Sequence, residues 1–158
     1  MLLVASERGL VSAEFDYDRK RLAAARKNKE WMESDAALAN TRKQLDEYFA
    51  GKRREFTMDL DLRGTDFQLR CWNALLAIPY GETCSYADLA RKVGSPRGFR
   101  AVGMANHDNP IPIIVPCHRV ITSDHKLGGY GGGLDVKEKL LDMEGAVWRR
   151  RHPSLAFS

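Results

Sequence analysis

The sequence contains little cysteine, and its three thiols, Cys71, Cys84 and Cys117, are widely separated. An odd number of cysteines at such spacing does not fit a disulfide framework, so a reducing compartment is the better expectation. Zinc-binding patterns are absent too, because no Cys-x-x-Cys pair occurs and the four histidines form no His-x3-5-His set. We therefore expect no metal and no other cofactor.

Long hydrophobic runs are also absent. Met1-Leu2-Leu3-Val4 is followed at once by polar residues, which excludes an apolar signal core at this end of the sequence. No stretch reaches the roughly 20 apolar residues that a membrane helix needs. The expected location is the compartment of synthesis, the cytoplasm, with no membrane partner.

The remaining composition is ordinary for a folded globular protein. Of 158 residues, 44% are hydrophobic and 29% are charged, and no internal repeat or low-complexity segment is visible. The formal net charge of +4 and the sequence pI of about 9.0 favour an anionic partner. This charge is compatible with binding to nucleic acid but does not establish it.

The first part of the chain predicts a small sheet followed by a helix. Apolar stretches at residues 2–5 and 10–15 flank a short turn, which indicates a β-hairpin. Charged helix formers dominate from about residue 19 to residue 50. Residues 56–62 alternate between apolar and polar, as in a strand or an extended connector. We predict an N-terminal sheet-and-helix domain over residues 1–62.

Two capping boxes indicate helix starts in the remainder of the chain. Thr65 pairs with Gln68 at the start of one helix, and Ser85 pairs with Asp88 at the start of a shorter one. The first of these helices carries an apolar stripe at helical spacing, made of Phe67, Cys71, Trp72, Leu75 and Leu76.

A third helix is predicted with Ser95 as its N-cap and Pro96 as its first residue. Together with the preceding short helix and the turn at Gly94, it makes a helix-turn-helix candidate. Most such helix pairs merely pack against each other. Between Thr83 and Val120, however, five basic residues stand against two acidic ones, which favours DNA binding.

Residues 111–116 are apolar and rich in proline, which predicts a rigid buried segment leading to Cys117. The neighbouring His118 matters because a thiol becomes a strong nucleophile when a base or a positive field converts it to thiolate. The dipeptide alone is more typical of an inert buried cysteine beside a chance histidine. Its surroundings must therefore decide between the two interpretations.

A glycine-rich loop over residues 128–133 precedes a last amphipathic helix, for which Asp135 and Glu138 are the predicted capping pair. The predicted fold class is accordingly α/β, of the α+β kind. The second domain, residues 63–158, is expected to be mainly helical, with a helix-turn-helix and a buried active-site cysteine.

Six ordered motifs extend from Gly64 to Leu141. They are Gly64-Thr65-x-Phe67-Gln68, Ile78-Pro79-Tyr80-Gly81-Glu82-Thr83, Ser85-Tyr86-x-x-Leu89-Ala90, Arg100-Ala101-Val102-Gly103, Asn109-Pro110-x-Pro112-Ile113-Ile114-Val115-Pro116-Cys117-His118-Arg119-Val120-Ile121 and Gly132-Gly133-Leu134-x-Val136-Lys137-Glu138-x-Leu140-Leu141. Through them the chain resembles the O6-alkylguanine-DNA alkyltransferases, also called methylated-DNA-protein-cysteine methyltransferases. In that family the Pro-Cys-His-Arg-Val string is the active-site signature.

The resemblance implies direct repair of alkylated DNA by a single-use protein. Cys117 would attack the alkyl carbon on guanine O6, and on O4 of alkylated thymine, and would keep the alkyl group. His118 would accept the thiol proton through a water, with Glu144 orienting the imidazole. Tyr86 would donate to the departing guanine ring. Asn109 would tie the helix-turn-helix to the active-site turn.

The resemblance also implies how the damaged base is bound. The nucleotide would be extruded from the duplex, and Arg100 would enter the stack in its place. Backbone groups at Cys117 and Val120 would hold the exocyclic amine of the base, in a pocket that includes Tyr86, Tyr130 and Gly131. The implied partner is double-stranded DNA containing O6-alkylguanine, bound through the minor groove without sequence specificity by a monomer, at the nucleoid or in a eukaryotic nucleus. The implied DNA contacts are Ser95, Gly98, Phe99, Arg100, Ala101 and Gly103.

Three departures from the family pattern stand out. Phe99 precedes the inserted arginine where a small residue is usual, which alters the fit to the groove. Gly131 stands where some members carry serine, which leaves a roomier pocket. Family members usually begin with a further strand before the hairpin, so an incomplete N-terminal sheet is expected here.

Three other interpretations remain open from the residues alone. A Cys-His hydrolase would need an oxyanion hole and turnover, and nothing in the sequence indicates an acyl pocket. A pure DNA-binding module would explain the basic helix pair but would leave Cys117 and His118 without a role. A structural interpretation, with Cys117 in the core and the glycines in turns, explains each piece separately and the combination poorly.

Overall fold

The structure is a computed structural model that describes residues 1–14, 27 and 34–148. The described residues form two compact units: those up to residue 63 together with residues 110–114, and residues 64–109 together with residues 115–148. The described elements confirm the predicted mixed α/β (α+β) class. The predicted domains, residues 1–62 and residues 63–158, were each continuous in sequence. This needs one correction, since residues 110–114 join the first unit. The backbone N–H of Ala13 donates to the carbonyl of Pro110 at 2.9 Å, a pairing distant in sequence.

The first unit contains the predicted hairpin. Strands β1 (Leu2–Ser6) and β2 (Gly9–Glu14) pair antiparallel, with an irregularity in register between Val4 and Ala5. Helix α1 spans Asp35–Phe49, and its Tyr48 side chain is completely buried. The start of the predicted helix, from residue 19, lies outside the described residues apart from Lys27.

Residues 56–62 form the extended connector rather than a strand. Leu60 makes an isolated parallel bridge with Leu10, supported by hydrogen bonds on either side, from Leu10 N–H to the Asp59 carbonyl and from Asp61 N–H to the Leu10 carbonyl. A Cβ at Gly9 would lie 2.5 Å from the Asp59 carbonyl oxygen, so only glycine allows this close approach. The connector thereby holds the end of the first unit against the hairpin.

The second unit begins with helix α2 (Asp66–Leu76), whose predicted capping box between Thr65 and Gln68 is confirmed. The buried face of α2 carries Cys71, Trp72 and Leu75, and the Trp72 indole N–H donates to the Ala105 carbonyl at 2.8 Å. Leu76 was predicted to belong to the same apolar stripe, and this was wrong. It is 40% exposed, because the last residue of α2 lies on the solvent side of the helix.

Two short helices follow, α3 (Tyr86–Lys92) and α4 (Phe99–His107), and the capping box of Ser85 with Asp88 is confirmed for α3. The predicted start of α4 was wrong, since its N-cap is Gly98 rather than Ser95. The Ser95 carbonyl instead accepts the Gly98 N–H at 2.8 Å and closes a turn before the helix. The Ser95 hydroxyl lies 2.3 Å from where a Cβ on residue 98 would be, so a larger residue there would displace this side chain.

Strand β3 (Cys84–Ser85) pairs in parallel with β4 (Val120–Ile121), which directly follows the 3-10 turn Cys117–Arg119. Helix α5 spans Leu134–Met143. Its predicted cap was wrong: Gly133 is the N-cap with φ of 98°, and Asp135 lies inside the first turn, where a carboxylate still favours the helix dipole.

In the described ranges no helix is long and apolar enough to cross a membrane. Over the same residues, no group of three His, Cys, Asp or Glu side chains could hold a metal ion.

Candidate active site

Cys117 lies at the first position of the 3-10 turn and is 7% exposed. Val115 and Pro116 before it are buried, and the Cys117 N–H donates to the Val115 carbonyl at 2.8 Å. The side-chain amide of Asn109, just beyond α4, donates to the same carbonyl at 2.8 Å. Asn109 therefore joins the end of the helix pair to the turn that carries the thiol.

A buried cluster of charged side chains includes the two residues that follow Cys117 in the chain, His118 and Arg119. His118 Nε2 is 2.8 Å from Oε1 of Glu144, and both side chains are fully inaccessible. Arg119 donates to both oxygens of the same carboxylate, at 2.9 Å each, and to the Ile78 carbonyl at 2.7 Å. Since a carboxylate beside a guanidinium only accepts hydrogen bonds, His118 must carry its proton on Nε2.

The other ring nitrogen of His118 is arranged as a base. Nδ1 is buried and makes no hydrogen bond to any part of the chain that the structure describes. Burial lowers the pKa of His118, and the hydrogen bond and charge of Glu144 act in the opposite direction. A neutral imidazole with a basic Nδ1 follows from this environment.

Burial also raises the pKa of the Cys117 thiol. Four groups oppose this by favouring thiolate: the side chain of Asn109, the charge of Lys137, and the backbone N–H groups of Cys117 and His118. The resting site therefore holds a thiol beside a neutral imidazole. This sharpens the expectation from sequence, because the thiol loses its proton during the reaction and does not stand as thiolate before it.

Lys137, like Arg119, is a buried charged residue to which sequence reasoning assigned no role. Its side chain is fully buried, and its ammonium donates to the carbonyls of Val120 at 2.7 Å, Gly129 at 3.2 Å and Leu127. Burial lowers the pKa of Lys137 to about 8. Helical spacing carried a signal, since residues 137, 140, 141 and 144 share one face, and a lysine on an apolar face is unusual.

The predicted base pocket is partly assembled around Tyr86. The Tyr86 hydroxyl donates to the Gly129 carbonyl at 3.4 Å, and the Lys137 ammonium lies 5.8 Å from the ring centroid. Gly128 has φ of +69°, and a Cβ there would be 2.9 Å from the Tyr86 ring. A larger residue at position 128 would displace the tyrosine.

Tyr130 and Gly131 contribute differently to this pocket. The Tyr130 hydroxyl is buried and makes no hydrogen bond within the described residues, and burial and the charge of Cys117 both raise its pKa. Gly131 has open space where a side chain would begin. Val120, completely buried in β4, presents a carbonyl that already accepts from Lys137.

The predicted DNA contacts lie in or beside α4 and outside the buried cluster. Phe99, Arg100 and Ala101 are exposed, and Gly103 is half-buried. Ser95 and Gly98 form the turn that precedes the helix. The structure thus separates the sequence-predicted residues into a buried chemical set and an exposed helix face.

A mixed fold with a helix pair, and a buried thiol beside a histidine and a carboxylate, together describe a DNA-binding protein with a nucleophilic cysteine. Comparisons with known proteins make this specific. Residues 66–146 match the family described as 6-O-methylguanine DNA methyltransferase, DNA binding domain, and residues 1–62 match its ribonuclease-like domain. The chain belongs to the 6-O-methylguanine DNA methyltransferase family.

Individual relatives agree with this assignment. A protein of Methanosarcina barkeri named methylated-DNA-protein-cysteine methyltransferase is 47% identical over 144 residues, which cover 91% of this chain and 89% of that protein. A protein of the same name from Mycobacterium bovis is 56% identical over 72% of this chain and 69% of its own length. The crystal structure of Mycobacterium tuberculosis OGT in complex with DNA superposes with a TM-score of 0.80 at 46% identity, covering 90% of this chain and 84% of that one.

Proposed function

We propose that this protein repairs DNA by direct reversal, moving the alkyl group of O6-alkylguanine irreversibly onto Cys117. The observation that carries the proposal is the buried arrangement of Cys117, His118 and Glu144, with Arg119 holding the carboxylate in place. The names of the relatives, which act on methylated DNA and on a protein cysteine, support the same chemistry.

The first step is proton removal from the thiol. His118 Nδ1 accepts the Cys117 proton, through a bridging water, while Glu144 accepts the hydrogen bond from Nε2. The imidazolium that forms lies beside the Glu144 carboxylate, which stabilises it in this buried site. Lys137 and the backbone N–H groups of the turn stabilise the thiolate.

Alkyl transfer follows as a single displacement. The Cys117 sulfur forms a bond to the alkyl carbon, and the bond from that carbon to guanine O6 breaks with its electron pair remaining on the base. Tyr86 donates its proton to the guanine ring, so that the base departs neutral, and the proton that His118 took from the thiol then replaces the one lost by Tyr86. Burial and the Cys117 charge raise the pKa of Tyr86, which keeps it protonated until then. The thioether product contains no bond that water readily cleaves, so each molecule reacts once.

Recognition of the base requires its extrusion, because O6 inside a duplex cannot reach a buried sulfur. Arg100 is exposed on α4 and takes the place of the extruded nucleotide in the stack. The small residues Ala101 and Gly103 allow α4 to approach the minor groove, where recognition is largely independent of sequence. The Val120 carbonyl retains a lone pair beyond its bond to Lys137 and accepts from the base amine.

We extend the proposal to the substrate range, the oligomeric state and the location of the protein. The open space beside Gly131 leaves room for alkyl groups larger than methyl, and O4-alkylthymine is a second substrate. The protein acts as a monomer, since one chain supplies both the thiol and the helix pair. Its free thiols suit the cytoplasm, at the nucleoid, or the nucleus of a eukaryote.

Mass spectrometry tests the central reaction. After incubation with a duplex oligonucleotide containing one O6-methylguanine, the intact mass should increase by one methyl group per molecule, and peptide mapping should locate it on Cys117. Cys117→Ala should show no transfer, whereas Cys84→Ala, which removes a half-buried thiol, should react like the wild type. Catalytic turnover, or transfer that survives Cys117→Ala, would contradict the proposal.

A further inference from the structure

Two large apolar side chains on α4 are open to solvent. Phe99 is 53% exposed and Met104 is 60% exposed. Single exposed apolar residues are common on protein surfaces and need no explanation. These two, however, lie on the helix that carries Arg100, and Arg100 is between them.

Helical geometry shows the arrangement. At about 100° per residue, Phe99 lies about 100° to one side of Arg100, and Met104 lies about 40° to the other side, one turn further along. The buried residues of α4 occupy the opposite arc and are Val102, Ala105 and Asn106. The exposed face of the helix therefore presents a cation flanked by two apolar side chains, with the small residues Ala101 and Gly103 beside them.

We propose that Phe99 and Met104 form an apolar wedge that contacts deoxyribose rings and exposed base faces on either side of the extruded nucleotide. The inference rests on the proposed function. In addition to Arg100, to which that function already assigns a role in extrusion, it assigns such a role to Phe99 and Met104. Extrusion leaves the neighbouring base faces unstacked, and apolar side chains inserted from the minor groove cover such faces at less cost than water does. A helix face meant only for phosphates would carry lysine or arginine at these positions.

The occupant of this face is double-stranded DNA because the wedge continues the helix-turn-helix surface. Arg91, Lys92 and Arg97 are exposed on α3 and in the turn before α4, and they give this side of the unit the positive charge that DNA requires. Phe99 and Met104 add contact area where the charges do not reach. Their contribution concerns DNA engagement and not the chemistry at Cys117.

The test compares each variant with the wild type on two substrates, of which only the duplex needs extrusion of the damaged base. For Phe99→Ala and for Met104→Ala, the second-order rate of alkyl transfer from an O6-methylguanine duplex should fall about tenfold each, equivalent to about 1.4 kcal/mol. Reaction with free O6-benzylguanine should stay within about twofold of wild type, since the free base needs no extrusion. Leu76→Ala, which truncates an exposed apolar residue on α2, is the matched control and should leave both rates unchanged.

Further variants separate apolar contact from charge and from folding. Met104→Leu should react with the duplex at the wild-type rate. Met104→Gln, which keeps the length of the side chain but makes it polar, should show the lowered rate of Met104→Ala. The salt dependence of binding to undamaged duplex should be unchanged in Phe99→Ala, because no phosphate contact is removed. Wild-type duplex rates in the alanine variants, or equal losses on both substrates, would overturn the inference. Failure of the wild type to transfer an alkyl group from either substrate would instead contradict the proposed function.

Discussion

The interior of the second unit and the exposed face of α4 reverse the usual distribution of polar and apolar residues. Inside, the charged or ionisable side chains of His118, Arg119, Lys137 and Glu144 are buried. Outside, Phe99 and Met104 are open to solvent. Buried charges are costly unless they are paired, and exposed large apolar groups gain nothing from folding. Each reversal therefore indicates a place where the chain serves a reaction or a partner rather than its own stability.

The two regions differ in how completely their groups are satisfied. In the interior, the Glu144 carboxylate accepts from His118 and twice from Arg119, and the Lys137 ammonium donates to three carbonyls. On α4 we propose that DNA supplies the corresponding contacts. In this proposal the interior is arranged before the reaction, whereas the helix face is completed by DNA binding.

The largest expected effect comes from disturbing the interior without changing its shape. In Glu144→Gln the shape of the side chain is kept, but the negative charge that stabilises the His118 imidazolium and pairs with Arg119 is lost. Alkyl transfer should slow by about 100-fold or more, measured in single-turnover reactions with free O6-benzylguanine. Asp135→Asn, on the exposed first turn of α5, should react at the wild-type rate. A rate for Glu144→Gln close to wild type would show that the charge of Glu144 does not support His118 as the base.

The next effect concerns stability. Arg119→Met leaves the buried Glu144 without its guanidinium and should lower the free energy of unfolding by about 3–5 kcal/mol, measured by urea denaturation. Arg91→Met removes an exposed ion pair to Asp88 and should cost less than about 1 kcal/mol. Similar losses for the two variants would mean that the interior cluster is no more dependent on pairing than the surface.

The pH dependence tests Lys137. The pKa of His118 is held below its ordinary 6.5, so the histidine is already the neutral base above that pH, and the transfer rate should be level from about pH 6.5 to 8. Above about pH 8 the ammonium of Lys137 loses its proton and no longer stabilises the thiolate, so the rate should fall. Lys137→Met should have a lower plateau and no such fall. A wild-type rate that climbs steadily through pH 9, as for a free thiol, would exclude this role.

The smallest effect is expected from a change in helix α2, which belongs neither to the buried cluster nor to the exposed face of α4. Thr65→Ala removes the N-cap bond of α2 and should lower the free energy of unfolding by about 1 kcal/mol. Thr65→Ser, which keeps the hydroxyl, should restore most of it. Both variants should transfer alkyl groups at the wild-type rate, and a loss of activity in either would show that the scaffold and the site are not independent.

Features set by local chemistry could be predicted from the sequence. The capping boxes at Thr65 and Ser85 place helix starts correctly, because each depends on two side chains three residues apart. The start of α4 could not be predicted, since the Ser95 carbonyl closes a turn with Gly98 that competes with a capping role. The contact of residues 110–114 with the hairpin depends on pairing distant in sequence, which no local pattern indicates.

The site was predictable in its reactive residues but not in its supporting charges. Cys117, His118 and Glu144 follow from the resemblance of the sequence, and the structure brings all three together. Arg119 and Lys137 are ordinary surface residues by composition. Their burial becomes evident only when a carboxylate and three carbonyls are found facing them.

The ratio of the transfer rate on duplex DNA to that on free O6-benzylguanine tests the division between the two regions most directly. It should be measured for Glu144→Gln and for Arg100→Ala. Glu144→Gln should lower both rates by the same factor and leave the ratio unchanged, while Arg100→Ala should lower the duplex rate alone. Equal losses on both substrates for Arg100→Ala, or a free-base rate spared in Glu144→Gln, would contradict this division.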